Sequence, residues 1–266
     1  MSNILANIVA HKFKEVALRK QQISITALEA MPLFKSPCIS LANQLRQPLN
    51  LGIIAEFKRQ SPSKGVINAT ASVEEVTQAY AKFGAAGISV LTDTHFFGGN
   101  LDDLSIAVQQ PVAVLRKEFI IDEFQIIEAK AFGASVILLI ATCLTPTEIE
   151  LLAGTAKELG MEVLLELHDK NELEYICDGI DMVGINNRSL KSFEVTIDHS
   201  LQLKDSLPKE MLSIAESGIY DLETYHLLKR EGFDGFLMGE YFMKQTSPAA
   251  AFEIFTQQIK LNQHAS

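Results

Sequence analysis

A chain of 266 residues, with 47% hydrophobic and 21% charged side chains, can bury one large core and has the balance of an ordinary globular protein. Its formal net charge of −10 argues against a nucleic-acid partner, because phosphate backbones are bound by clustered Lys and Arg, but it leaves room for one small phosphate held by a few local donors. No apolar run approaches the roughly 20 residues that span a bilayer, and MSNILANIVAHKFKEV mixes charged and apolar groups too finely for a secretory signal, so no membrane association and a cytoplasmic location are expected.

In the first segment Ile4, Leu5, Ile8, Val9, Phe13 and Val16 recur at helical spacing, which predicts a helix from Asn3 to about Ala30. MPLFKSPCIS, broken by Pro32 and Pro37, reads as an irregular connection. Residues 1–48 are too short to fold alone, so they are expected to be a helical extension packed across one end of a single domain covering residues 1–266. From Leu51 a new pattern repeats. The apolar runs LGIIAEF, AGISVLT, PVAVLRK, ASVILLI, MEVLLEL, IDMVGIN, MLSIAES and FDGFLMG alternate with amphipathic stretches such as VEEVTQAYAKFG, DEFQIIEAKAFG, TEIELLAGTAKELG and LETYHLLKREGF. Several stretches end in Gly, favoured just past a helix C-terminus. Continuous apolar strands separated by helices imply a parallel sheet covered by helices, and eight such units are the count of a (β/α)₈ TIM barrel. An open doubly wound sheet would carry a Gly-rich turn after its first strand; here KRQSPSKG stands there instead.

Cys38, Cys143 and Cys177 are odd in number and widely spaced, as reduced thiols are, and the six histidines show no metal-ligand spacing, so no metal site is expected.

Active sites of such barrels lie at the C-terminal ends of the strands. There the sequence places Glu56 and Lys58, Lys117, Glu166, Asn186 and Arg188, and Glu216 with Ser217. One charge at a strand end is ordinarily a solvated rim residue. Charges at the same end of five otherwise apolar strands point to a common site, where desolvation and opposite charges can tune Lys and Glu for proton transfer. Ser217-Gly218 and Gly239-Glu240 follow the seventh and eighth strands, the loops from which barrels often build a phosphate site; Ser61 and Ser63 can add donors. Phe96, Phe97 and Phe119 either stack on an aromatic ring at the opening or close the top of the core. His168 has no evident partner and reads as a helix-start residue. On these residues alone three readings stand: a proton-transfer enzyme, an enzyme using a Schiff-base lysine, and a phosphate-binding protein without catalysis.

The segment IIAEFKRQSPSKG resembles the first-strand signature E-x-K-x-x-S-P-S of the indole-3-glycerol-phosphate synthase family. SVLTD with FFGG, VLRKEFIID, ILLIA, EVLLELHD, GINNRSL, AESGI and FLMGE follow in that family's order, from about Leu51 to Met243. The resemblance implies a carboxy-lyase of tryptophan biosynthesis. It would close an indole ring on 1-(2-carboxyphenylamino)-1-deoxyribulose 5-phosphate with loss of CO₂ and water, without cofactor or metal. It assigns Lys117 as the general acid on the substrate ketone and Glu166 to proton transfer as the hydroxyl is lost. Lys58, oriented by Glu56, would bind the carboxylate or phosphate and serve as an acid in dehydration. Asn186, Arg188 and Glu216 would orient substrate and acids. Ser217, Gly218, Gly239 and Glu240 would face the phosphate, and Phe97, Phe119, Leu139, Leu190 and Leu237 would line the aryl pocket. Association with other tryptophan-pathway enzymes is compatible with this reading. Ser189 departs from the family, which more often carries Asp there.

Overall fold

Each of the eight apolar runs is a strand in the computed structural model, which describes residues 4–188 and 195–264. The strands are β1 (Ile53–Phe57), β2 (Gly87–Leu91), β3 (Ala113–Lys117), β4 (Val136–Ile140), β5 (Glu162–Leu167), β6 (Met182–Asn186), β7 (Leu212–Glu216) and β8 (Gly235–Met238). All pair in parallel with their sequence neighbours, and β8 returns to pair with β1, closing the barrel. Strands buried on both faces need apolar side chains at nearly every position, which is why the runs show little alternation. Ile54, Leu115, Leu138, Leu164, Met182 and Ile214 point into the barrel. Ile53, Val114, Leu139, Val163, Val183 and Phe236 point out against the helices.

The outer helices begin where a short polar side chain can accept from a free backbone N–H: Ser72, Asp122, Thr145 and Asp221 cap Val73–Phe83, Glu123–Ala131, Pro146–Glu158 and Leu222–Arg230. The loop after β1 carries a small hairpin pairing Gln60–Ser61 with Gly65–Val66.

The N-terminal segment differs from the single helix expected. It forms two helices, Ile4–Gln22 and Ile25–Glu29, because Ser24 breaks the run and its Oγ accepts from Ala27 N at 3.2 Å to start the second. A further helix, Leu41–Leu45, lies where no element is expected. Ser40 caps it, and Glu162 at the foot of β5 accepts from Leu41 N at 2.8 Å and Ala42 N at 3.0 Å. Leu41 and Leu45 fill the lower end of the barrel, where Gly87 leaves them space: a Cβ there would lie 2.8 Å from Leu41 Cδ1. The extension thus touches both ends of the barrel. Among the described residues no helix is long and apolar enough to cross a membrane.

Candidate active site

Inward-facing positions at the upper ends of the strands open on one cavity. Parallel register sets which side chains share its wall: Leu91 stands beside Lys117, Ile140 beside Glu166, and Asn186 and Leu237 beside Glu216. Glu56, Lys58, Lys117, Glu166, Asn186 and Glu216 all line this cavity.

At its centre Lys117 Nζ lies 2.8 Å from Glu216 Oε2 and 3.3 Å from Glu166 Oε2. The lysine is 13% exposed and the two carboxylates 1% and 4%, so the cluster is largely desolvated and open on one side. Burial alone would disfavour the ammonium, but Glu216, Glu166 and Glu56 outweigh it and hold Lys117 above the usual lysine value. The carboxylates diverge. Burial pushes Glu216 up, and although Lys117 pulls it back, the nearby Glu166 and Glu56 leave it at about 7. Burial also opposes charge on Glu166, but Lys117, His168 and the Asn186 amide outweigh that and keep it well below the usual carboxylate range. The two carboxylates are thus shifted in opposite directions, Glu166 towards its charged form and Glu216 towards its protonated form. Glu216 Oε1 has no hydrogen-bond partner among the described residues.

The partners of these groups are close. Asn186 Nδ2 donates to Glu166 Oε1 at 2.9 Å, and Lys58 Nζ lies 2.6 Å from Glu56 Oε1. Two glycines give the carboxylates room. A Cβ on Gly184 would collide with Glu216 Oε1, and one on Gly239 would lie 2.8 Å from Glu56 Cβ.

Across the mouth Arg188 gathers the residues expected to hold phosphate. Its backbone N–H donates to Asn186 Oδ1 at 3.0 Å, and its guanidinium lies 3.2 Å from Glu240 Oε2 and 3.4 Å from both Ser63 Oγ and Tyr220 OH. Ser61, Ser63, Ser217, Gly218, Gly239 and Glu240 all border the cavity. Ser217 has φ 64°, the only positive value outside glycine among the described residues, and Gly218 follows at 77°. Asn187 Nδ2 donates to Ser217 O at 3.0 Å and holds this strained turn.

Of the residues expected to line an aryl pocket, Phe97 and Phe119, with ring centroids 6.0 Å apart, and Leu237 border the cavity. Leu139 is not part of it. It points outward into the helix-facing core, and its neighbours Leu138 and Ile140 reach the cavity instead. Phe96 packs on His11 and His95 rather than in the mouth. Leu190, like Ser189, lies outside the described residues. His168 does more than start a helix. Its backbone N–H donates to Glu172 Oε2 at 2.6 Å, but its ring Nε2 also lies 3.2 Å from Glu166 Oε1, and the ring is held above its usual value, with burial opposing and Glu166 outweighing it. The residues missed by sequence reasoning include Gly184 and the apolar face of the first helix, whose Ile4, Leu5 and Ile8 line the cavity.

Fold and site together define an eight-stranded parallel-barrel protein with lysine and glutamate side chains gathered in one cavity at the upper ends of its strands. The family model for indole-3-glycerol phosphate synthase matches residues 5–255, and the chain belongs to that family. It is 45% identical to the indole-3-glycerol phosphate synthase of Bacteroides thetaiotaomicron over 98% of this chain and 100% of that one. It is 40% identical to the enzyme of the same name from Acinetobacter baylyi, over 96% of each chain. Among solved structures it is similar to the alpha subunit of tryptophan synthase from Legionella pneumophila, with a TM-score of 0.61 at 12% identity over 83% of this chain and 95% of that one. The "Native KDPGal structure" matches with a TM-score of 0.59 at 13% identity, over 83% of this chain and 96% of that one. These two likenesses concern the fold alone.

Proposed function

We propose that the protein converts 1-(2-carboxyphenylamino)-1-deoxyribulose 5-phosphate to indole-3-glycerol phosphate, CO₂ and water in tryptophan biosynthesis, with Lys117 as the first general acid. The observation that carries this reading is the Lys117 ammonium, held charged between Glu216 and Glu166 with one face open to the cavity. In the first step the ring carbon that bears the carboxylate attacks the ketone carbon. Negative charge grows on the ketone oxygen, and Lys117 donates its proton there. The ring is left as an iminium with the carboxylate on a tetrahedral carbon, so the electrons of the breaking C–C bond restore the aromatic ring and CO₂ departs. The new hydroxyl then leaves as water. Lys58, oriented by Glu56, protonates it, and ionised Glu166, steadied by Asn186, takes the proton from the adjacent carbon.

Arg188, Ser61, Ser63 and the Ser217-Gly218 and Gly239-Glu240 turns hold the phosphate end in this reading, with Glu240 paired to Arg188. Phe97, Phe119 and Leu237 flank the anthranilate ring. A Schiff-base role for Lys117 is disfavoured, because an amine must be neutral to attack a carbonyl and three carboxylates oppose its deprotonation. A cytoplasmic location, and association with other enzymes of the pathway, belong to the same proposal.

The test is turnover. Incubation with the deoxyribulose phosphate should produce indole fluorescence together with CO₂, and borohydride added during turnover should leave no substrate attached to Lys58 or Lys117. Well-folded protein that yields no product would remove this function, and a trapped adduct would replace acid catalysis with Schiff-base chemistry.

A further inference from the structure

A second ammonium is buried more completely than Lys117 and takes no part in the proposed chemistry. Lys12, in helix Ile4–Gln22, is 1% exposed and lies 2.9 Å from Asp93 Oδ2 and 3.0 Å from Glu118 Oε1, themselves 0% and 1% exposed. Glu15 adds a third carboxylate at 3.0 Å from the rim of the same helix. Glu118 has other partners, the Thr92 hydroxyl at 2.7 Å and Arg116 at 3.9 Å. Among the described residues Lys12 is the only cation within ion-pair distance of Asp93.

Both carboxylates hold the backbone of the aryl wall. Asp93 Oδ1 accepts from Phe96 N at 2.7 Å and Phe97 N at 3.3 Å, and Glu118 Oε1 accepts from Phe119 N at 2.9 Å. On the helix, Ile8 and Leu5 stand four and seven residues before Lys12, the spacing of one helical face, and both line the cavity. Three parts of the wall, from the first helix, the loop after β2 and the loop after β3, therefore meet at one side chain.

We propose that Lys12 is a positioning residue for recognition of the aromatic ring: it fixes the first helix to those two loops, so that Leu5, Ile8, Phe97 and Phe119 present one surface to the anthranilate end of the substrate. This rests on the function proposed above. Phosphate, bound across the mouth, is outside its reach.

Lys12→Met keeps the stem and deletes the charge. Its KM for the deoxyribulose phosphate should rise about tenfold while kcat changes by less than about twofold. Inhibition by inorganic phosphate should be unchanged, and Lys12→Arg should recover part of the loss. Hydrogen exchange reads the same link without activity: the Phe97 and Phe119 amides should exchange about tenfold faster in Lys12→Met, while those of Ile214–Glu216 hold their wild-type rates. Should Lys12→Met fail to fold, Glu118→Gln, which retains an oxygen for Phe119 N–H, should show a smaller KM rise of the same kind. Unchanged KM, equal weakening of phosphate, or unchanged exchange at Phe97 and Phe119 in a folded variant would overturn the proposal. If the wild-type protein does not turn over the substrate, the functional reading falls and exchange alone decides the role of Lys12.

Discussion

Lys12 and Lys117 are two solutions to the same electrostatic problem, and they meet in the sequence at Glu118, a partner of Lys12 and the residue next to Lys117. Each is an ammonium withdrawn from water and held charged because carboxylates outweigh the cost of burial. Around Lys12 the cluster is closed, 1% exposed, and its carboxylates are tied to backbone N–H groups of two loops. Around Lys117 it is open, 13% exposed, and its two carboxylates, like the lysine, line the cavity. In the proposed roles the same charges make a clamp in one place and a proton donor in the other. The difference is whether a position beside the nitrogen is left for substrate.

Replacing Lys117 should separate the two most sharply. Lys117→Met should lower kcat by about 10³-fold with little change in KM, the removal of one general acid. A variant turning over at the wild-type rate would erase the distinction from Lys12. Glu216 tests the open cluster through pH. Its folded carboxyl titrates at about 7 against 4.5 for a free side chain, so the folded state binds this proton more tightly. That contribution to stability is fully present below about pH 4.5 and is lost as pH rises through about 7, up to ~3 kcal/mol. In urea unfolding, Glu216→Gln should therefore gain on the wild type between pH 5 and pH 8; a difference constant across that window would place the Glu216 proton elsewhere.

Gly184→Ala forces a Cβ against Glu216 Oε1 and should destabilise the fold by about 2 kcal/mol, the scale of overpacking, while lowering kcat. Full stability together with wild-type kcat would show that Glu216 can move aside freely. The smallest expected change is at Ser217, held at φ 64°. Ser217→Gly should relieve about 1 kcal/mol of left-handed strain, read as a higher unfolding midpoint. A lower midpoint would mean that the hydroxyl contributes more than the strain costs.

The barrel is legible from the sequence because a parallel sheet imposes apolar runs of nearly constant length, and Lys117, Glu166 and Glu216 are legible because each ends such a run. Leu139 shows the limit. In VILLI every side chain is apolar, so alternation carries no phase; only the pairing of Ile140 with Glu166 shows that Leu138 and Ile140 face inward. Lys12 resembles any solvated helix lysine until Asp93 and Glu118 are brought beside it. The glycine in MVGIN can be noticed as a break in a strand, but its reason, the carboxylate of Glu216 lying over it, is a tertiary fact. Leu41–Leu45 escapes because five residues make a weak helical signal and its stabilising Glu162 comes from a distant strand.

That small helix has a consequence for traffic. With Leu41 and Leu45 packed beneath the inward layer of Ile54, Leu115, Leu138, Leu164 and Ile214, the cavity has a solid floor. In the proposed reaction substrate arrives, and carbon dioxide, water and the indole product depart, through the upper mouth, framed among the described residues by the first helix and the loops after the strands. Each turnover then ends in a queue: the bulky product must vacate before the next substrate can settle, and the two compete for the same threshold.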